Sequence, residues 1–216
     1  MMYGPEHRKL QEEFDSVKLA DRVEETIVNP AMDEFQKEYV ESRDMFFLTT
    51  INHKGQPTVS YKGGNKGLLT VVDDKTIAFP SYDGNGMFLT AGNMVGNENV
   101  GILLIDFETP FRLRITGCAK RSMDENLLKR YHEAQMVFTV TIERIWINCN
   151  RYIHPHKRIE TSKYAPKVGK ETPFPTWKRI DEVCDVLPFN QSAKVKTEGG
   201  KITPEEWMGK IMSGDA

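Results

Sequence analysis

The sequence has 216 residues, 39% hydrophobic and 28% charged, with a formal net charge of -2, which suits a soluble globular protein of one sizeable domain with appendages or two small ones. A charge so near balance removes any global electrostatic case for a nucleic-acid or anionic-membrane partner. Cys118, Cys149 and Cys184 are odd in number and widely spaced, with no C-x-x-C pair, and there is no basic-then-apolar leader or run of about 18 apolar residues; a cytoplasmic protein is expected.

Residues 6–43 read as helical, because Leu10, Phe14, Val17, Val23 and Ile27 recur at three- to four-residue spacing among charged residues. Asn29-Pro30 divides the stretch into two expected helices, the second starting at Asp33 and Glu34 with Phe35, Tyr39 and Val40 on its apolar side. From Phe46 the period shortens. Strands are expected at 46–51, 57–61, 67–72 and 76–80, a helix over 84–95, strands at 100–106 and 111–121, a short helix near 124–132 and a strand at 136–147. Asn52-His53-Lys54-Gly55 and Asp73-Asp74-Lys75 have hairpin length, so the neighbours are antiparallel and the inventory is that of a closed or nearly closed β-barrel.

Strand 111–121 alternates Phe111, Leu113 and Ile115 with Arg112, Arg114 and Thr116, giving one cationic face whose counterpart is solvent, acidic side chains or a phosphate. Gly117 within it marks a bulge or a close backbone approach. Residues 148–180, rich in Pro, Lys, Arg and His, are expected to wrap the barrel surface, 191–202 to form a flexible loop, and 204–212 a helix with Pro204 in its first turn.

The candidate site lies in 75–97, where a strand passes through a Gly/Asn turn into a helix. Unpaired N–H groups and the dipole of a helix N-terminus attract anions, and Gly84 and Gly86 allow close approach to the main chain. Leu89 stands where a dinucleotide fingerprint needs its third glycine, so a mononucleotide fits better; an ordinary strand-to-helix turn is the competing reading. Lys62 and Lys66 sit in a Gly-rich turn and serve either solvent or an anion. The His154-x-His156 pair lacks acidic or cysteine companions at ligand spacing, so no metal site is expected. Hydrolysis has no motif in its favour, since Gly-x-Ser-x-Gly is absent.

DMFFLTTINHKGQPTVSYKGG (44–64), TIAFPSYDGNGMFLTAGNMVGNENVGILLIDFE (76–108) and RLRITGCAK (112–120) together resemble the pyridoxamine 5'-phosphate oxidase-like family of FMN-binding split barrels, from Asp44 to Ile147. HRKLQEEFDSVKLADRVEE (7–25) and INCNRYIHPHKRIE (147–160) are similar to the flanks of an uncharacterised subgroup, in which an Asn-Cys-Pro turn stands where this chain has Asn148-Cys149-Asn150. The resemblance implies a mainly β chain with flanking helices, organised as an N-terminal helical segment (1–43), an antiparallel FMN-binding split β-barrel (44–147) and a C-terminal extension packing on the barrel (148–216).

It further implies a homodimer with FMN at the subunit interface. Flavin and ribityl contacts fall on Ser60, Tyr61 and Lys62, backbone contacts on Phe79, Pro80, Ser81 and Tyr82, the phosphate near Gly84, Asn85 and Gly86, and a contact from the second subunit on Arg112. Where the family's phosphate turn carries Ser-Arg-Lys, this chain has Gly84-Asn85-Gly86. The implied activity is an FMN-dependent oxidoreductase acting on an unidentified small molecule, with no catalytic residue assigned. The alternative is a non-catalytic flavin- or haem-binding stress protein, with His154 or His156 as axial ligand; a deazaflavin is a third possibility.

Overall fold

The computed structural model describes residues 2–214; Met1, Asp215 and Ala216, the ends of the expected terminal segments, lie outside them. The chain divides into two compact units, Met1–Thr161 and Ser162–Ala216. The first begins with three helices, α1 (Pro5–Glu13), α2 (Val17–Ile27) and α3 (Glu34–Ser42), one more than the sequence pattern predicts. The additional break falls at Asp15, whose left-handed φ of 48° cannot continue a helix, and the turn is closed by Ser16 N donating to Gln11 O at 2.8 Å. Helix α3 opens on a reciprocal cap, Gln36 N donating to Asp33 Oδ1 and Asp33 N to Gln36 Oε1, and buries Val40.

Seven strands follow: β1 (Met45–Ile51), β2 (Pro57–Gly63), β3 (Thr70–Asp73), β4 (Thr76–Ser81), β5 (Asn99–Asp106), β6 (Phe111–Ser122) and β7 (Met136–Asn148), with α4 (Leu89–Gly96) before β5 and α5 (Glu125–Lys129) before β7. They form one antiparallel sheet in the order β2-β1-β5-β6-β7-β4-β3. The sheet curls into a split barrel and does not close. Strands β2 and β3 stand at its two edges, so the barrel expected to be closed or nearly closed is open between them, and the inner face of β2 hydrogen-bonds to α4. Residues 67–69, expected as strand, instead carry Leu68 and Leu69 into the core after Gly67 turns the chain at φ 84°.

Alternation along each strand decides what is inside. On β1, Phe46, Leu48 and Thr50 are buried while Phe47, Thr49 and Ile51 face outward half-covered. Phe46 meets Phe79 edge-on at 5.3 Å, and Phe79 stacks on Phe138 at 6.0 Å, forming the aromatic centre of the core. Register places Tyr61, Phe47, Leu103, Arg114 and Trp146 in one row across the outer face.

After β7, residues 149–161 form an arm without helix or strand. It is tied to the β5–β6 turn by Asn150 Nδ2 donating to Pro110 O (3.0 Å) and His156 N donating to Phe107 O (2.9 Å), then to the start of β1 by an Arg158–Asp44 ion pair. The second unit carries a 3₁₀ turn at Thr176–Arg179 and helices α6 (Asp181–Cys184), α7 (Phe189–Thr197) and α8 (Pro204–Ser213). Helix α7 occupies most of the stretch expected to be a loop and buries Val195; Ile180, Cys184 and Ile202 are buried in the same unit, Ile180 bridging to Ile202. Helix α8 starts where expected, with Pro204 in its first turn and a Thr203–Glu206 capping box.

The β6–β7 pairing shifts register between Thr116 and Gly117, the bulge anticipated at this glycine. A Cβ at Gly117 would stand 2.2 Å from Thr141 O, a backbone atom with no freedom to move aside. Gly117→Ala should therefore destabilise the protein by about 1–3 kcal/mol, read in urea as a lowered midpoint with an unchanged slope.

Candidate functional site

Strand β2 lies at one edge of the sheet, and its alternation separates residues adjacent in sequence. Thr58, Ser60 and Lys62 point toward α4, whereas Val59 and Tyr61 point to the outer face. Helix α4 is fixed to this edge by two groups of hydrogen bonds. In the first, the Asn93 side-chain amide donates to Thr50 Oγ1 (3.0 Å) and Thr58 Oγ1 (3.1 Å), and those hydroxyls bond each other at 2.9 Å. In the second, Thr90 Oγ1 pairs with Ser60 Oγ at 3.0 Å and accepts from Lys62 Nζ at 3.3 Å.

Lys62 carries the electrostatics of this edge. Burial pulls its ammonium below the ordinary value of 10.5, and no carboxylate lies within ion-pair distance to oppose that among the described residues. A desolvated cation beside two hydroxyls and a helix start with no side-chain cap is an arrangement that receives an anion.

The helix begins at Leu89, later than the sequence reading placed it. Asn85 Oδ1 accepts from Met87 N at 3.1 Å, an Asx turn that satisfies the amide locally, and Gly86 (φ 76°) and Phe88 (φ 48°) are left-handed. Gly84, Asn85 and Gly86 thus form an exposed loop leading to the helix, and an added Cβ at either glycine would meet no atom within 4 Å. Thr90 and Asn93 were not singled out from sequence. Their i, i+3 spacing, which puts two polar side chains on one face of an otherwise apolar helix, was the available signal.

The remaining candidates divide between faces. Phe79 and Pro80 are buried, so they offer a ligand only backbone; β3 pairs with β4 no further than Ala78, leaving Phe79–Ser81 with β7 on one side alone. Tyr82 is half-buried, and burial, followed by the Tyr131 and Glu133 charges, pushes its phenol up to about 12. Tyr61 is 62% exposed on the outer face, edge-on to Phe47 at 5.9 Å. Arg112 shares that face, and its Nε is buried without a hydrogen-bond partner. The structure therefore brings Ser60, Lys62 and Thr90 together and sets Tyr61 and Arg112 on the opposite side of the sheet.

His154 and His156 are exposed on the arm, the ring of His156 resting edge-on against Phe107. Among the described residues no group of three or more His, Cys, Asp or Glu is placed to hold a metal ion, and no helix is long and apolar enough to cross a membrane. Cys118, Cys149 and Cys184 are all free.

The pyridoxamine 5'-phosphate oxidase family model matches residues 32–149. No curated protein matches the chain. Similar solved structures include HupZ of Group A Streptococcus, 18% identical over 58% of this chain and 99% of that one with a TM-score of 0.44. The heme storage protein HutZ from Vibrio cholerae is 20% identical over 51% and 90%, TM-score 0.40. The FAD binding protein from Mycobacterium smegmatis is 15% identical over 55% and 97%, TM-score 0.40.

The environment of Lys62 has a consequence for the ligand-free protein. Because its pKa is lower folded than unfolded, its charge costs folding free energy at every pH below the folded value, and that cost disappears as pH rises past about 10.5. Lys62→Met should raise the melting temperature of the ligand-free protein at pH 7 by about 2–4 °C for each kcal/mol recovered. The gain should vanish in alkaline melts, and a variant less stable than wild type at pH 7 would contradict the assignment.

Proposed function

The chain belongs to the pyridoxamine 5'-phosphate oxidase family, and on that premise we propose that it is a homodimeric flavoprotein that binds FMN and acts as an oxidoreductase on a small molecule. The observation that carries this reading is Lys62, a desolvated cation without a counter-charge beside the uncapped start of α4. Such a group fits a phosphate dianion, which supplies the missing charge and replaces the lost hydration with charge-assisted hydrogen bonds. Lys62, Ser60 and Thr90 would hold the phosphate, and the open glycines at 84 and 86 let it approach the main chain.

The flavin itself supplies the hydride chemistry when bound. The protein's residues bind and orient it. The β4 backbone beyond Ala78, free of β3, offers N–H and C=O groups to a ring edge. Tyr82, held as a neutral phenol by its burial, can donate a hydrogen bond but not act as a base near neutral pH. Tyr61 and Arg112 lie on the outer face and so belong to a pocket shared between two copies, one contributing Lys62 and the other Arg112, whose buried Nε–H finds no acceptor within its own protomer. The apolar outer row of Tyr61, Phe47 and Leu103 favours pairing with a second copy.

Two measurements test this. Light scattering should give twice the chain mass of 24.8 kDa. FMN titrated into the apo protein should quench flavin fluorescence, and Lys62→Ala should weaken binding by about 1.5–3 kcal/mol, roughly ten- to hundredfold. A Soret band in the purified protein with no flavin uptake would overturn the flavin reading in favour of a tetrapyrrole.

A further inference from the structure

We propose that the α1–α2 hairpin is a clasp that docks on the outer sheet face of a second copy of this chain. Helices of 9 and 11 residues are marginal in water unless an amphipathic face is packed, yet neither buries a residue in the protomer. Polar contacts tie the hairpin together, an Arg8–Asp21 ion pair at 2.7 Å between the helices and, from the segment before α1, Tyr3 OH donating to Ala20 O at 3.2 Å. Just beyond α2, Asn29 pairs with Ile145 and joins the hairpin to the sheet.

Apolar side chains stay exposed on both helices: Leu10 and Phe14, spaced i, i+4 at the end of α1, and Leu19 and Ile27 on α2, either side of the half-buried Val23; Phe14 is 72% exposed. Charge selects the occupant. Phe14 is flanked by Glu12, Glu13 and Asp15, none with a basic partner among the described residues, and residues 5–28 hold seven acidic against four basic side chains.

The complementary surface is the outer face of the barrel. Val59, Tyr61, Phe47 and Leu103 make it apolar, and Arg114 on the same row meets no carboxylate among the described residues. Each protomer keeps its own Phe14 in solvent, so the match is made between copies, and two-fold symmetry places two such clasps in a dimer. This rests on the homodimer of the proposed function, not on its flavin.

The test uses full-length protein. Phe14→Asp and Arg114→Glu alter residues exposed in the protomer, so circular dichroism should be unchanged while the dimer dissociation constant, from sedimentation across a dilution series, rises about tenfold or more. A benzophenone amino acid at position 14, irradiated in a mixture of isotopically heavy and light chains, should give heavy–light cross-links to β2, β5 or β6. Unchanged dissociation constants, or cross-links confined to one chain or to another surface, would overturn the clasp. A monomeric wild-type protein would overturn the clasp and the dimer together, whereas a dimer that takes up no FMN would overturn the flavin reading alone.

Discussion

Helix α4 is held to the edge of the sheet by hydroxyl and amide groups, and the rest of the site depends on that attachment. Asn93 bridges Thr50 and Thr58 across two strands, so the helix cannot slide without stranding buried polar groups at a cost of about 1–3 kcal/mol each. One helical turn earlier Thr90 reaches Ser60 and Lys62. The network that positions the helix start is thus continuous with the groups proposed to meet a phosphate.

The two-residue period of β2 divides its labour. Thr58, Ser60 and Lys62 serve the helix side, and Val59 and Tyr61 serve the outer face. A linear stretch that looks like one binding segment in sequence therefore contributes to two surfaces about one sheet thickness apart. Only an assembly in which a second copy covers the outer face can use both for one ligand, which is why the flavin proposal and the dimer proposal support one another.

The strands were largely legible because alternation and hairpin-length turns are local properties. Phe46, Leu48, Leu113 and Ile115 all point inward as their spacing predicts, and Gly117 marks the bulge. What escaped was governed by conformation that sequence spacing does not encode. The left-handed residues Asp15 and Phe88 broke helices at positions with no glycine or proline, and the Asx turn at Asn85 delayed α4. Helix α7 was misread because QSAKVKTEGGKI lacks a clear apolar stripe, Val195 being the one residue of the helix that is buried. In the site, Lys62 could be picked out from sequence; its lack of a counter-charge could not, since that depends on which carboxylates fold away from it.

A split barrel leaves two strand edges, β2 and β3, whose unpaired backbone groups could template the addition of strands from other molecules. Strand β3 is short and runs into the charged turn Asp73-Asp74-Lys75. The seven-residue β2 needs more protection, and it carries Pro57, which has no N–H to offer, together with an inward-pointing lysine, a charge that an added strand would have to bury. Lys62 thereby guards the sheet against aggregation by the same desolvation that makes it receptive to an anion, so a substitution that relieves its burial would trade colloidal safety for thermal stability.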